Sequence, residues 1–207
     1  MTSLRPINSS FPRLCLKCIW CLVNLYDENR VVVATNGGSE IVVSMLNSSV
    51  DGVVRRYLLE ILSVLSLLRV ARRGLISLGG VRFLVEAASC GHVLSRERAC
   101  QAIRLFGVTR RAHRMLVDLG VIDVLVEMLR VGDGAAKLVA GNSLGVVSAN
   151  INIIDLIAKA GAIPLYAELI QGPDPLGHEI AEDAFCVLAV AEANAVSIAE
   201  NLVRILR

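Results

Sequence analysis

The chain is short of aromatic residues, proline and long apolar runs, and each shortage narrows its class. Aromatics make up 4% of the 207 residues although hydrophobic residues make up 55%, above the roughly 45–50% of an ordinary soluble domain. Such a chain buries small aliphatic side chains on many surfaces rather than gathering one aromatic-centred core. No apolar run approaches the ~18 residues of a membrane-spanning helix. The longest, Tyr57 to Leu68, has the length of a buried helix and holds Glu60. The first ten residues are polar, include Pro6 and carry no apolar stretch ahead of a small-residue cleavage site, so no secretory leader is expected. Without a leader, the six cysteines do not read as a disulfide framework, and cytoplasmic or nuclear residence is expected. A formal net charge of +2 implies neither a nucleic-acid nor a membrane partner by itself.

Signatures of chemistry are also scarce. There is no Gly-x-x-x-x-Gly-Lys-Ser/Thr phosphate loop. Cys15, Cys18 and Cys21 are spaced C-x2-C-x2-C, but an iron–sulfur reading wants a cysteine where Leu25 stands, and a zinc reading wants a second ligand pair. With Cys18 placed on a buried helical stripe, these thiols are expected in the core, where free cysteine behaves as a small hydrophobe. One Gly-x-Ser-x-Gly occurs, Gly141 to Gly145 around Ser143. A nucleophile elbow needs a strand before it and a helix after it, whereas this stretch has helical periodicity. The adjacent acids Glu182 and Asp183 point to different sides of a helix and form no acid–base pair. No enzyme and no cofactor or metal is expected.

What the chain has is repetition. Gly37-Gly38, Gly79-Gly80, Gly120 and Gly161 each open a ten-residue apolar helical pattern, and Gly37, Gly79, Gly120 and Gly161 lie 42, 41 and 41 residues apart. A fixed period near 41 marks a helical solenoid. Each pattern is followed by a polar loop and a longer helix, and each glycine is preceded by a short helical segment, giving three helices per repeat. The glycine suits a sharp turn between the first two, because it takes positive φ at no steric cost. A separate alignment of the long third helices starts from Cys18, Leu58, Ala99, Ala140 and Ala181. Four residues on stand Leu22, Leu62, Ile103, Leu144 and Phe185; seven on stand Leu25, Leu65, Phe106, Val147 and Leu188. This is one buried stripe written five times. The expected organisation is a polar lead over 1–10, then an array over 11–207: a partial repeat 11–28, full repeats 29–69, 70–109, 110–150 and 151–190, and a partial repeat 191–207. In the last, Val196 to Arg207 resembles a glycine-following helix with Ser197 in the glycine's place. Neither end shows a polar cap, so the chain is expected to be a fragment of a longer array or to pair at its ends.

The pattern Gly-Ala-Ile-Pro-x-x-x-x-Leu at Gly161 to Leu169, a turn, then Ala-x-x-Ala-x-x-x-Leu over 181–188, resembles the armadillo repeat. The likeness is good over 120–147 and looser over 37–65. It implies an all-α right-handed solenoid whose third helices line a concave groove, and a protein-binding scaffold without catalysis. The chain is similar to plant armadillo-repeat proteins, some of which carry a ubiquitin-ligase U-box, so a substrate-binding piece of a ubiquitin-ligase subunit is an alternative. Importin-α-like members hold basic peptides through Trp and Asn two and six residues past the small origin residue. Only Trp20 and Asn24 match; the other pairs are Glu60 and Val64, Gln101 and Leu105, Asn142 and Val146, Asp183 and Val187. An import groove is therefore not expected, and Trp20 also reads as a packing aromatic. The candidate partner-binding positions are Trp20, Asn24, Tyr57, Glu60, Arg98, Gln101, Asn142 and Asp183.

Charge is unevenly placed. Residues 1–54 hold 4 basic and 4 acidic side chains, 55–114 hold 12 arginines and 3 acids, and 115–207 hold 5 basic and 12 acidic, which sum to +2. A solenoid maps sequence onto space, so the molecule is expected to be electrically polarised, with a basic patch at Arg55, Arg56, Arg96 and Arg104 facing an acidic or extended protein segment. Nucleic-acid binding through the same arginines is the other alternative, against which the low net charge and few aromatics count. One column, three residues before each origin, reads Cys15, Arg55, Arg96, Lys137 and His178. It lies about 60° from the buried stripe and about 160° from the Trp/Asn positions, at an edge of the superhelix.

Overall fold

A computed structural model of the chain describes residues 10–49, 51–107, 110–148 and 151–207; the polar lead over 1–9 lies outside them. Among the described residues the regular elements are fourteen α-helices. The first described helix is α1 (Ser10–Leu25), which packs on α4 as one third helix packs on the next. Full repeats follow as α2 (Asp27–Thr35), α3 (Gly38–Ser48) and α4 (Gly52–Leu65); α5 (Arg69–Ser77), α6 (Val81–Cys90) and α7 (Val93–Phe106); α8 (Arg110–Asp118), α9 (Val121–Val131) and α10 (Gly134–Val147); and α11 (Ile151–Lys159), α12 (Ala162–Gln171) and α13 (Pro175–Leu188). The last helix is α14 (Glu192–Ile205). Successive third helices pack on one another and on the second helix of their own repeat, so the core is a continuous seam along a right-handed α-solenoid.

Among the described residues, the four glycines that open the second helices, Gly37, Gly79, Gly120 and Gly161, are those with positive φ, between +67° and +88°. Any other residue there would carry a left-handed penalty of about 1–2 kcal/mol. In α4, α7, α10 and α13 the stripe predicted from spacing is buried throughout, from Leu58, Ala99, Ala140 and Ala181 to Leu65, Phe106, Val147 and Leu188. The second helices answer with Val42, Leu84, Leu125 and Tyr166, again at 42, 41 and 41, all buried. Tyr166 is the one large polar side chain in that column. Its hydroxyl donates to the Gly141 carbonyl at 2.7 Å, which satisfies it inside the seam.

Both ends depart from expectation. In α1 the expected stripe is exposed: Cys18 lies on the surface, Leu22 is 50% and Leu25 68% exposed, while Leu16 and Val23 are the buried residues and Trp20 packs between them. The repeat step here is therefore 42, pairing Leu16, Trp20 and Val23 with Leu58, Leu62 and Leu65. The cause is the link. Tyr26 alone separates α1 from α2, whereas three residues separate every other third helix from its successor. An origin at Cys18 thus falls two residues late. Cys15 and Cys18 are surface thiols, not core ones, and Cys21 is half-buried. At the other end α14 starts four residues after α13, as every first helix of a full repeat after α4 does, but has no glycine to break it. It runs on for 14 residues against α12, with Ser197 inside it.

Candidate functional site

The inner surface of the array is the row of third-helix positions left over once the seam is buried. Two residues past each origin stand Glu60, Gln101, Asn142 and Asp183; with the corrected step the α1 member is Cys18, not Trp20. That this row is concave follows from one contact. The guanidinium of Arg98 on α7 reaches across α4 to donate to the Asn24 side-chain oxygen on α1. Third helices two steps apart meet only on the inside of a curve.

Five of the groove candidates, with Arg56 of the basic patch, form one cluster at that crossing. The Trp20 and Tyr57 rings are tilted with centroids 5.9 Å apart. Arg56 lies over Tyr57 at 5.2 Å and within 3.8 Å of the Glu60 carboxylate. Asn24, accepting from Arg98, also donates to the Trp20 carbonyl at 2.7 Å. Burial, then the charge of Arg30, lowers the Arg98 pKa, while Glu60 and Glu97 oppose the shift. Trp20 is thus part of the packing between α1 and α4, and its buried Nε1 has no hydrogen-bond partner among the described residues.

A second group lies one step on. Gln101, Arg104, Leu105, Val139 and Asn142 line, with Leu67, an open pocket of about 210 Å³ between α7 and α10. Its polar members are two side-chain amides and a guanidinium, which suits a peptide backbone flanked by a carboxylate. Asp183 stands apart on α13, exposed, with Glu179 one turn before it on the same face. Glu179 was not among the sequence candidates; its spacing of four from Asp183 was the signal.

The basic patch divides. Arg56 and Arg104 belong to the inner surface. Arg55 and Arg96 belong to the edge column, and there they close the ends of second helices. Arg55 donates to the Leu46 carbonyl at 2.9 Å and pairs through two nitrogens, each at 2.6 Å, with Glu86, which raises its pKa. Arg96 donates to the Ala88 carbonyl at 3.0 Å, and His178 bonds the Gly172 carbonyl at 2.7 Å. Helix ends leave carbonyls unpaired and carry partial negative charge, so a cation there stabilises. The corrected step puts Arg13, not Cys15, first in this column; it pairs with Asp51, whose pKa it lowers together with the Val54 and Val53 amides. A further row, Arg30 and Arg72 on first helices, donates to the Val23 and Leu67 carbonyls at 2.6 and 2.7 Å. The side chains of Arg110 and Arg111 lie outside the described residues.

Among the described third-helix starts, one is an exception. Asp51, Asp133 and Asp174 cap α4, α10 and α13 by accepting first-turn amides. At α7 the equivalent residue is His92, whose side chain makes no cap bond. Ser95, in that first turn, is buried and its hydroxyl has no hydrogen-bond partner among the described residues.

Gly141 to Gly145 lies inside α10. Ser143 is buried there, its hydroxyl 2.7 Å from the Val139 carbonyl and 3.0 Å from that of Cys100. That is a helix-packing serine and not an elbow. Among the described residues no group of His, Cys, Asp and Glu is placed to hold a metal, and no helix is long and apolar enough to cross a membrane.

No protein-family profile matches the chain, and no curated protein does. Solved structures do. A designed armadillo repeat protein superposes with a TM-score of 0.73 at 15% identity, over 95% of this chain and 84% of that one. Another, in complex with the peptide (KR)4, superposes with 0.70 at 16%, over 91% and 80%. An engineered protein superposes with 0.71 at 20%, over 96% and 81%. The chain has the fold of an armadillo solenoid.

Proposed function

We propose that the chain is a non-catalytic scaffold that holds an extended segment of a partner protein along the inner row of third helices. The observation that carries this reading is the open pocket between α7 and α10, where Gln101 and Asn142 present side-chain amides one repeat apart beside Arg104. Amides at repeat spacing can bond the main chain of an extended peptide, leaving alternate side chains for specificity. A similar designed armadillo repeat protein is in complex with the peptide (KR)4. Nucleic-acid binding loses ground, because Arg55, Arg72 and Arg96 are engaged with backbone carbonyls. A role as the substrate-binding part of a larger, plant-type ubiquitin-ligase subunit is the same groove chemistry placed in a longer protein.

The test is a panel of random ten-residue peptides selected against the folded chain, with affinities then measured for the chain and for a Gln101→Ala/Asn142→Ala double variant. Two lost hydrogen bonds at about 1 kcal/mol each correspond to roughly a 30-fold weaker Kd. Selected peptides that bind both proteins equally well place the binding surface elsewhere. No selected peptide at all overturns the scaffold reading.

A further inference from the structure

The inner row changes charge along its length, and this constrains what lies in it. On α4 and α7 it presents three guanidiniums, Arg56, Arg98 and Arg104, against two carboxylates, Glu60 and Glu97. Glu60 is engaged with Arg56, while Arg104 has no hydrogen bond or ion pair among the described residues. On α10 the row is Leu138, Asn142, Gly145 and Val146, with no charge. On α13 it is Glu179 and Asp183, both exposed and without an ion pair among the described residues. The whole-segment charges run the same way, 12 arginines against 3 acids over 55–114 and 5 basic against 12 acidic residues over 115–207. An all-acidic segment therefore meets repulsion at α13, and an all-basic one meets it at α7.

Resting on the scaffold reading above, we infer that the partner segment is bipolar: acidic side chains over Arg98 and Arg104, basic side chains over Glu179 and Asp183. Its spacing follows from geometry. Neighbouring packed helices lie about 8–10 Å apart, so α7 and α13, two steps apart, are separated by about 20 Å. An extended chain covers about 3.3 Å per residue. The two charged blocks are thus about six residues apart, joined by an uncharged stretch that crosses α10 with its main chain on Gln101 and Asn142. Fixing both blocks at once makes the site sensitive to the order of charges along the peptide, because the groove has one direction.

The experiment uses four fluorescein-labelled twelve-residue peptides with the intact chain: two Asp then two Lys six residues on, the same with the order reversed, and the two single-sign versions. Binding is read by anisotropy at low and at moderate salt. One bipolar order is expected to bind at least about tenfold tighter than its reverse and than either single-sign peptide. Asp183→Lys should weaken that peptide at least fivefold and leave the all-acidic peptide equal or tighter; Arg104→Glu should do the converse for the all-basic one. Circular dichroism melts confirm that both variants fold. If the all-acidic peptide binds as tightly as either bipolar one, the bipolar partner is wrong while the scaffold reading stands. If the bipolar peptides bind and neither variant changes the affinity, the groove assignment is wrong. If none of the four binds while randomly selected peptides do, bipolarity again fails alone.

Discussion

α7 and α10 are the same length, stand 41 residues apart and are built on one buried plan, yet hardly a surface residue is shared. Ala99, Ile103 and Phe106 of α7 sit where Ala140, Leu144 and Val147 sit in α10, all buried. Outside that stripe α7 carries Arg96, Glu97, Arg98 and Arg104, while α10 carries the single charge Lys137. α10 starts at an aspartate that caps it, α7 at a histidine that does not. The stripe decides where a helix packs, and stacking tolerates any surface that leaves the stripe intact. Differences between the two helices therefore report on what the surface does, either inside the protein or outside it.

The largest test concerns what the two share. Leu144→Ala should destabilise by about 2–5 kcal/mol in denaturant unfolding, as for a fully buried leucine, and Ile103→Ala should fall in the same range. Leu22→Ala on α1, half-exposed, should cost within about 0.5 kcal/mol. A large cost at Leu22 would mean that α1 packs by the 40-residue step after all. Next comes the surface of α7. Arg96→Ala removes a charged donor from a helix-end carbonyl and should cost about 1.5 kcal/mol. Arg104→Ala, with no internal bond to lose, should stay within about 0.5 kcal/mol. Equal costs would erase the division between the edge arginines and the groove arginines. The last test is at the start of α7: His92→Asp copies the cap of α10 and should raise stability by about 1 kcal/mol, less than Arg96→Ala removes. No gain would show that His92 or Ser95 already satisfies those amides by another route.

The parts of this fold legible in the sequence were those written several times over. The glycines and the third-helix stripe are each set by a local requirement, positive φ in one case and burial in the other, so every copy votes for the same answer. α1 was misplaced because a single feature, the one-residue link at Tyr26, moves the frame by two, and nothing repeated elsewhere could correct it. The same slip hid Arg13 at the head of the cation column. The groove was legible only as a set of positions. That Asn24 faces Arg98 across α4 depends on curvature, which no periodicity encodes. That Arg55 and Arg96 serve carbonyls while Arg104 serves none depends on where the second helices end. Charge counts cannot tell such arginines apart, because a cation at a helix end and a cation in open solvent add equally to the sum.

The bond from Arg98 to Asn24 has a mechanical consequence. A superhelix is a spring, and each of its turns opens or closes by small rotations between neighbours. A tie that spans α4 and fastens α1 to α7 opposes one of those rotations, so the first two repeats should open less readily than the later ones when the chain is stretched. No comparable strut spans the later third helices among the described residues. Extension and recoil should therefore be concentrated beyond α7, where the groove is widest in its freedom to fit a guest.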